Sequence, residues 1–251
     1  MPTRTFEKLW AYGSVLSEQA CDHLFPGRCL VTGRWIPPQT RYKFLSPEAV
    51  QRLLFINGPA CVTCGYPFHG WVEGPRSCPH CRNLNPLFRQ GKSALLLREG
   101  ARQLVYHLKY RKNRAVIRDI LSAMDDCPGY LEFAENSILV PVPLHWRKEW
   151  KRGFNQSLLI AEGIARLTGS AQIWNGLYRP ERRISQTMLS REERSKNVKG
   201  VFSLRSAPPD PEARYIVVDD VFTTGATLNA SAYALILGGV RRIDVMSFAH
   251  G

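Results

Sequence analysis

Residues 217–227 read Val217-Val218-Asp219-Asp220-Val221-Phe222-Thr223-Thr224-Gly225-Ala226-Thr227. The apolar run Tyr215-Ile216-Val217-Val218 that leads into them has the character of a buried strand. A strand that ends in two carboxylates and turns through Thr-Thr-Gly-Ala-Thr into a helix presents backbone N–H groups and hydroxyls at a helix N-terminus, where unpaired donors and partial positive charge favour a phosphate. Gly225 lets the backbone approach that phosphate closely. Asp219 and Asp220 share the phosphate's sign and so cannot bind it, but they are well placed to accept hydrogen bonds from the vicinal hydroxyls of an adjoining sugar. A phosphate followed by a diol describes a ribose 5-phosphate. The segment lacks the lysine of a GxxxxGK[ST] loop, and a dinucleotide-binding GxGxxG turn lacks the paired carboxylates.

Working outward, Leu228, Ala232, Leu235 and Ile236 continue the turn as a helix that Gly238-Gly239 ends, and a last strand runs roughly from residue 242 to 248. Upstream, Leu97, Ala101, Leu104, Val105 and Leu108 mark one helix, and Ile117, Ile120, Leu121 and Met124 mark another, punctuated by Asp126-Cys127-Pro128-Gly129. Ser137-Ile138-Leu139-Val140 reads as a strand. A basic loop over residues 145–152 then leads through Gly153-Phe154-Asn155-Gln156 into a helix carrying Leu158, Ala161 and Ala165. Residues 179–200 are highly charged with few apolar positions, as expected of an exposed segment. Strands alternating with helices predict an α/β fold with a mainly parallel sheet covered on both faces, its ligands bound beyond the carboxyl ends of the strands.

The first 90 residues differ in composition, being rich in Cys, Pro, Gly and Trp with little helical periodicity. This divides the chain of 251 residues into a Cys-rich module, 1–90, and an α/β domain, 91–251. Cys61-Val62-Thr63-Cys64 and Cys78-Pro79-His80-Cys81 form two CxxC knuckles at a spacing suited to a four-thiolate zinc site. With all four ligands supplied by the protein, such a site is structural, and the module folds around its metal. A redox CxxC is the rival reading. Seven cysteines in a chain without an export signal argue against a disulfide framework, and Cys21 and Cys127 read as buried small hydrophobes. No uninterrupted apolar run approaches the roughly 18 residues of a membrane span, so a cytoplasmic protein without membrane insertion is expected. The net charge of +13 favours polyanionic partners without choosing among them.

The 217–227 stretch closely resembles the 5-phosphoribosyl 1-pyrophosphate (PRPP) loop of type I phosphoribosyltransferases. The resemblance extends over nearly the whole chain to the competence protein F (ComF) family, through the CxxC-bearing N-terminal segment, His107-Leu108-Lys109-Tyr110, Val140-Pro141-Val142-Pro143-Leu144, Arg152-Gly153-Phe154-Asn155-Gln156, Gln186, Leu189-Ser190-Arg191, Arg194 and Asn197-Val198. It implies a type I phosphoribosyltransferase fold behind a small zinc module, and a magnesium-dependent transferase that releases pyrophosphate. In that scheme Asp219 and Asp220 hold the ribose hydroxyls, with Arg191 as a third catalytic residue. The turn of Val221, Phe222, Thr223, Thr224, Gly225, Ala226 and Thr227 takes the 5-phosphate. Lys109, His145, Arg147, Lys148 and Arg152 face the pyrophosphate, and residues 186–200 form the loop that closes over the reacting centre. The acceptor is unknown. The family name implies a link to DNA uptake in natural transformation. The alternative function is a non-catalytic PRPP sensor or adaptor that handles single-stranded DNA. Many relatives carry a further N-terminal CxxC, whereas here the equivalent place reads Cys29-Leu30-Val31-Thr32, which leaves Cys29 without a paired knuckle.

Overall fold

The protein is described here by a computed structural model, covering residues 27–68, 70, 74, 76–82, 84–180 and 201–251. Its centre is a five-stranded, wholly parallel sheet. In chain order the strands and main helices are β1 (Gly91–Leu96), α1 (Glu99–Tyr110), α2 (Ile117–Asp125), β2 (Ile138–Pro141), α3 (Trp146–Arg152), α4 (Gln156–Thr168), β3 (Gln172–Ile173), β4 (Leu177–Tyr178), β5 (Ser203–Leu204), β6 (Arg214–Phe222), α5 (Ala226–Leu237) and β7 (Arg242–His250). The strand order is β1-β7-β6-β2-β3, and β4 and β5 make a separate antiparallel pair. The α/β architecture expected from the sequence, a parallel sheet flanked by helices, is the one observed.

Alternation along the central strands assigns the two faces. Ile216, Val218, Met246 and Phe248 point to a core shared with Leu104 and Leu108 of α1, Ile120 and Met124 of α2, and Ile160 and Ile164 of α4. Tyr215, Val217, Ile243 and Val245 point the other way, onto Leu228, Ala232 and Leu235 of α5. Burial on both faces is why β6 reads as an unbroken apolar run from Tyr215 to Val218 instead of an alternating one. Both strands run further than their apolar stretches suggest. β6 carries Asp219 and Asp220 inside its last turn-ward residues, and β7 continues to His250.

Two elements differ from the sequence reading. Gly91-Lys92-Ser93-Ala94-Leu95-Leu96 is the edge strand β1, too short to register as a period but held in line by β7. The basic stretch after His145 is a helix, α3, and not a loop. The His145 ring nitrogen Nδ1 accepts from Arg147 N at 3.2 Å to cap its start, and Gly153, at φ 86°, ends it. The charged segment 181–200 lies outside the described residues.

Residues 29–53 pack into the same core as α1 and α2, through Cys29, Ile36, Tyr42, Leu45 and Leu53. A buried carboxylate fastens them there. Asp119 of α2, 0% exposed, accepts from Lys43 N and Phe44 N at 2.8 Å each, while Tyr42 donates to Asp126 at 2.6 Å and Arg41 ion-pairs with Asp125 and Asp126. Replacing Asp119 by Ala strands two backbone donors, so the substitution is expected to lower stability by about 1–3 kcal/mol in urea denaturation. A change within about 0.5 kcal/mol, the range of an ordinary surface substitution, would show that this clip contributes nothing.

Candidate functional site

The candidate site lies at the carboxyl end of β6, in the middle of the sheet. Gly225 adopts the left-handed conformation, φ 74°, as the N-cap of α5. A side chain is excluded there by space as well as by conformation, because a Cβ would come within 2.7 Å of both Leu84 Cδ2 and Phe222 Cζ. Phe222 turns inward, 1% exposed, while Thr223, Thr224 and Thr227 face solvent. Together Asp219 and residues 221–228 line a small hollow at the start of α5, about 20 Å³ in volume. The N–H groups of a helix's first turn have no partners within the helix, so the hollow has the donors an anion needs.

Each carboxylate is held by its own partner. Asp219 Oδ1 accepts from Ser157 Oγ at 2.9 Å and from Asp220 N at 2.9 Å, and Asp220 Oδ2 lies 2.6 Å from Lys109 Nζ. Burial, and then the neighbouring Asp220 charge, push the Asp219 carboxyl up to about 8. Ser157 was not among the residues singled out from the sequence. Its only local signal is its place at the start of α4, where Asn155 Oδ1 accepts from Ser157 N at 3.0 Å and Asn155 Nδ2 donates to Val142 O at 3.0 Å. The Gly-Phe-Asn-Gln-Ser stretch therefore ties the end of β2 to the carboxylates of β6.

Of the other candidates that the structure describes, one touches the carboxylates and the rest make local contacts. Lys109, at the end of α1, meets Asp220. His145 caps α3, Arg147 stacks over the Trp146 ring at 5.2 Å, Lys148 is exposed, and Arg152 donates to Gln156. His107 is half-buried, with its pKa lowered by burial and by Arg111. The Arg114 guanidinium lies 5.5 Å from the Phe154 ring centre, which joins the segment after α1 to the one after α3. Arg191 lies outside the described residues.

A second constellation stands beside the first. The sulfurs of Cys61, Cys64, Cys78 and Cys81 all lie within 4.8 Å of one another, and all four residues are buried. Zinc–sulfur bonds of about 2.3 Å place tetrahedral sulfurs roughly 3.8 Å apart, and Cys64 and Cys78 Sγ are 3.7 Å apart. The donor set fits zinc, with Cys61, Cys64, Cys78 and Cys81 as its ligands. Without a cation, burial pushes the Cys64 thiol up and takes Cys81 up to about 12. For Cys61, burial is outweighed by backbone N–H donors led by Cys78, which bring it down to about 7. Cys29 and Cys127 belong to the other core, where Cys29 Sγ accepts from Ser46 N, and Cys21 lies outside the described residues.

With this geometry in view, the chain was compared with known proteins. It is 28% identical over 196 residues to competence protein F of Haemophilus influenzae, an alignment covering 76% of this chain and 84% of that protein. It is 28% identical over 193 residues to DNA utilization protein YhgH of Salmonella typhimurium, covering 74% and 81%, and 26% identical over 204 residues to competence protein ComFC of Bacillus subtilis, covering 78% and 79%. The chain is a homologue of these competence proteins. No protein-family model matches it. The likeness first seen in the motifs is thus carried by most of the chain, and no helix among the described residues is long and apolar enough to cross a membrane.

The raised Asp219 carboxyl has a consequence for stability. Between the ordinary aspartate range near pH 4 and about pH 8 the folded state holds a proton that the unfolded chain has lost, so stability falls as pH rises through that window. Asp219→Asn removes the group, and its thermal melting temperature is expected to gain on the wild type progressively from about pH 4 to about pH 8. Parallel melting curves for the two proteins across that range would refute the assignment.

Proposed function

We propose that this chain binds PRPP at the end of β6 and transfers its phosphoribosyl group to an acceptor, as a competence-type protein linked to DNA uptake. The observation that carries this reading is the pair Asp219–Asp220 immediately before a left-handed Gly225 turn at the N-terminus of α5. In it the backbone N–H groups of residues 223–227 take the 5-phosphate, and Asp219 and Asp220 accept from the ribose 2- and 3-hydroxyls. Lys109, already beside Asp220, ion-pairs with that carboxylate. Arg147, Lys148, Arg152 and Arg191 stabilise the charge that builds on departing pyrophosphate as its bond to the anomeric carbon breaks and the bond to the acceptor forms. Magnesium bound with PRPP would neutralise the pyrophosphate oxygens, for which it has a preference as a hard cation. The names of the relatives, two competence proteins and a DNA utilization protein, support the link to DNA uptake.

Titration calorimetry of the metal-replete protein with PRPP, with and without magnesium, tests the binding. Asp220→Ala is expected to weaken PRPP by about 1.5–3 kcal/mol, the range for a hydrogen bond to a charged group. Unchanged affinity removes Asp220 from the site, and absence of binding by the wild type removes the reading itself.

A second reading, in which the chain holds single-stranded DNA with or without catalysis, is favoured by a separate observation. Helix α3 buries none of its seven residues, yet carries Trp146, 47% exposed, and Trp150, 84% exposed, at helical spacing among Arg147, Lys148, Lys151 and Arg152. Across the Arg114–Phe154 contact, the end of α1 offers Tyr106 and Tyr110, with ring centres 5.4 Å apart, among Lys109, Arg111 and Lys112. Exposed aromatic faces among cations are what unstacked bases and a phosphate backbone require. Trp150→Ala is expected to weaken binding of an oligothymidylate by about 1–3 kcal/mol, with affinity falling steeply with salt. Fluorescence anisotropy giving equal affinities for the two proteins would dismiss this surface.

A further inference from the structure

Two lines of contact run from the four-cysteine cluster to the turn at residues 223–227. The first leaves through Cys81. Its carbonyl accepts from Leu84 N at 3.2 Å, and the Leu84 side chain lies against Gly225, where even a Cβ would be only 2.7 Å from Leu84 Cδ2. Asn229, in the first turns of α5 and 2% exposed, grips the same segment: its Oδ1 accepts from Leu87 N at 2.7 Å, and its Nδ2 donates to Leu84 O at 3.5 Å and Asn85 O at 3.4 Å. The second line leaves through Cys64. Two residues on, the Tyr66 carbonyl accepts from Cys61 N at 2.8 Å, and the Tyr66 ring sits edge-on to His250, 5.1 Å between centres. His250 stacks on Phe222 at 4.8 Å and 21°. Phe88 meets the same Phe222 ring edge-on at 6.5 Å.

The stretch that makes these contacts is held by scattered bonds, among them Val62 N to Arg76 O at 3.2 Å and the Thr63–Ser77 hydroxyl pair at 2.8 Å. Between Cys61 and Phe88 the described regular structure is one four-residue helix, Pro79–Arg82. Its anchorage on the sheet is by close backbone approach, for Gly91 leaves no room for a Cβ against Thr63 O, at 2.5 Å, and Gly65 is nearly as tight against Ser93 N, at 2.9 Å. Segments of this kind take their order from the metal they enclose. Remove the metal, and Leu84, Tyr66 and Phe88 lose the frame that presses them onto Phe222 and Gly225.

We propose that metal occupancy of the Cys61–Cys64–Cys78–Cys81 cluster sets the rigidity of the 223–227 turn, with Asn229 and Leu84 as positioning residues, so that the metal and a phosphate ligand of that turn bind cooperatively. Only the identity of the ligand rests on the function proposed above; the coupling itself concerns the protein alone. Linkage then requires reciprocity: whatever factor the metal adds to phosphate-ligand affinity, the ligand adds to metal affinity.

Amide hydrogen exchange on the full-length zinc-loaded protein reads the coupling without a ligand. In Cys78→Ser, zinc is lost and exchange across residues 222–230 is expected to rise about tenfold, while the central segments 215–218 and 243–248 keep their protection. Asn229→Ala is expected to retain its zinc and show the same local loosening, which separates the positioning role from collapse of the module. In both variants the dissociation constant for ribose 5-phosphate is expected to rise about five- to tenfold, within the usual span of such couplings. Exchange at the turn that is indifferent to zinc would overturn the proposal, as would loss of protection through the whole sheet, which would make the metal a global staple. If the turn responds to zinc but wild-type protein fails to bind ribose 5-phosphate, the coupling stands and the ligand reading falls. If ribose 5-phosphate binds equally with and without zinc, the coupling falls and the site reading stands.

Discussion

Two adjacent carboxylates at the end of a buried strand repel one another and resist leaving water, and much of the surrounding structure is arranged around that conflict. Asp220 is met by the Lys109 ammonium and Asp219 by the Ser157 hydroxyl. Burial and the neighbouring charge still leave Asp219 well above the usual carboxylate range. The elements that supply the partners, the end of α1 and the start of α4, are the ones carrying the His-Leu-Lys-Tyr and Gly-Phe-Asn-Gln motifs. Each of those motifs therefore meets one of the two carboxylates.

Cations and exposed aromatic rings gather on α3 and at the end of α1, and Arg114 over Phe154 joins the segments that follow these two helices. Clustered cations raise the local concentration of anions, and the relatives are named for competence and for DNA utilization.

The four-cysteine cluster does not stand apart from this centre. Its knuckles lie on the edge strand β1, and the residues that follow them reach the 223–227 turn, through Leu84 to Gly225 and through Tyr66 and His250 to Phe222. The constraint that makes Gly225 irreplaceable is therefore double. The turn needs its positive φ, and Leu84 of the cysteine-bearing segment occupies the space a side chain would take.

By itself the sequence determined the local features: the strand at 215–218, the turn and helix after it, the helices of α1, α2 and α4, and the four cysteines as one ligand set. Each of these is written in residues that are neighbours along the chain, as a period, a spacing or a turn residue. Only the tertiary structure decided that Lys109 faces Asp220, that Ser157 holds Asp219 from 62 residues away, and that Asn229 binds Leu87 across 142. It also decided that residues 91–96 are a strand, because an edge of six residues is specified by the partner beside it more than by its own pattern, and that the basic stretch at 146–152 is a helix, through a histidine cap that no period announces. Strand order brings distant segments together, and strand order is a property of how the whole chain buries its apolar surface. Patterns along the chain record which residues are buried; which of them meet is settled only when the sheet is assembled.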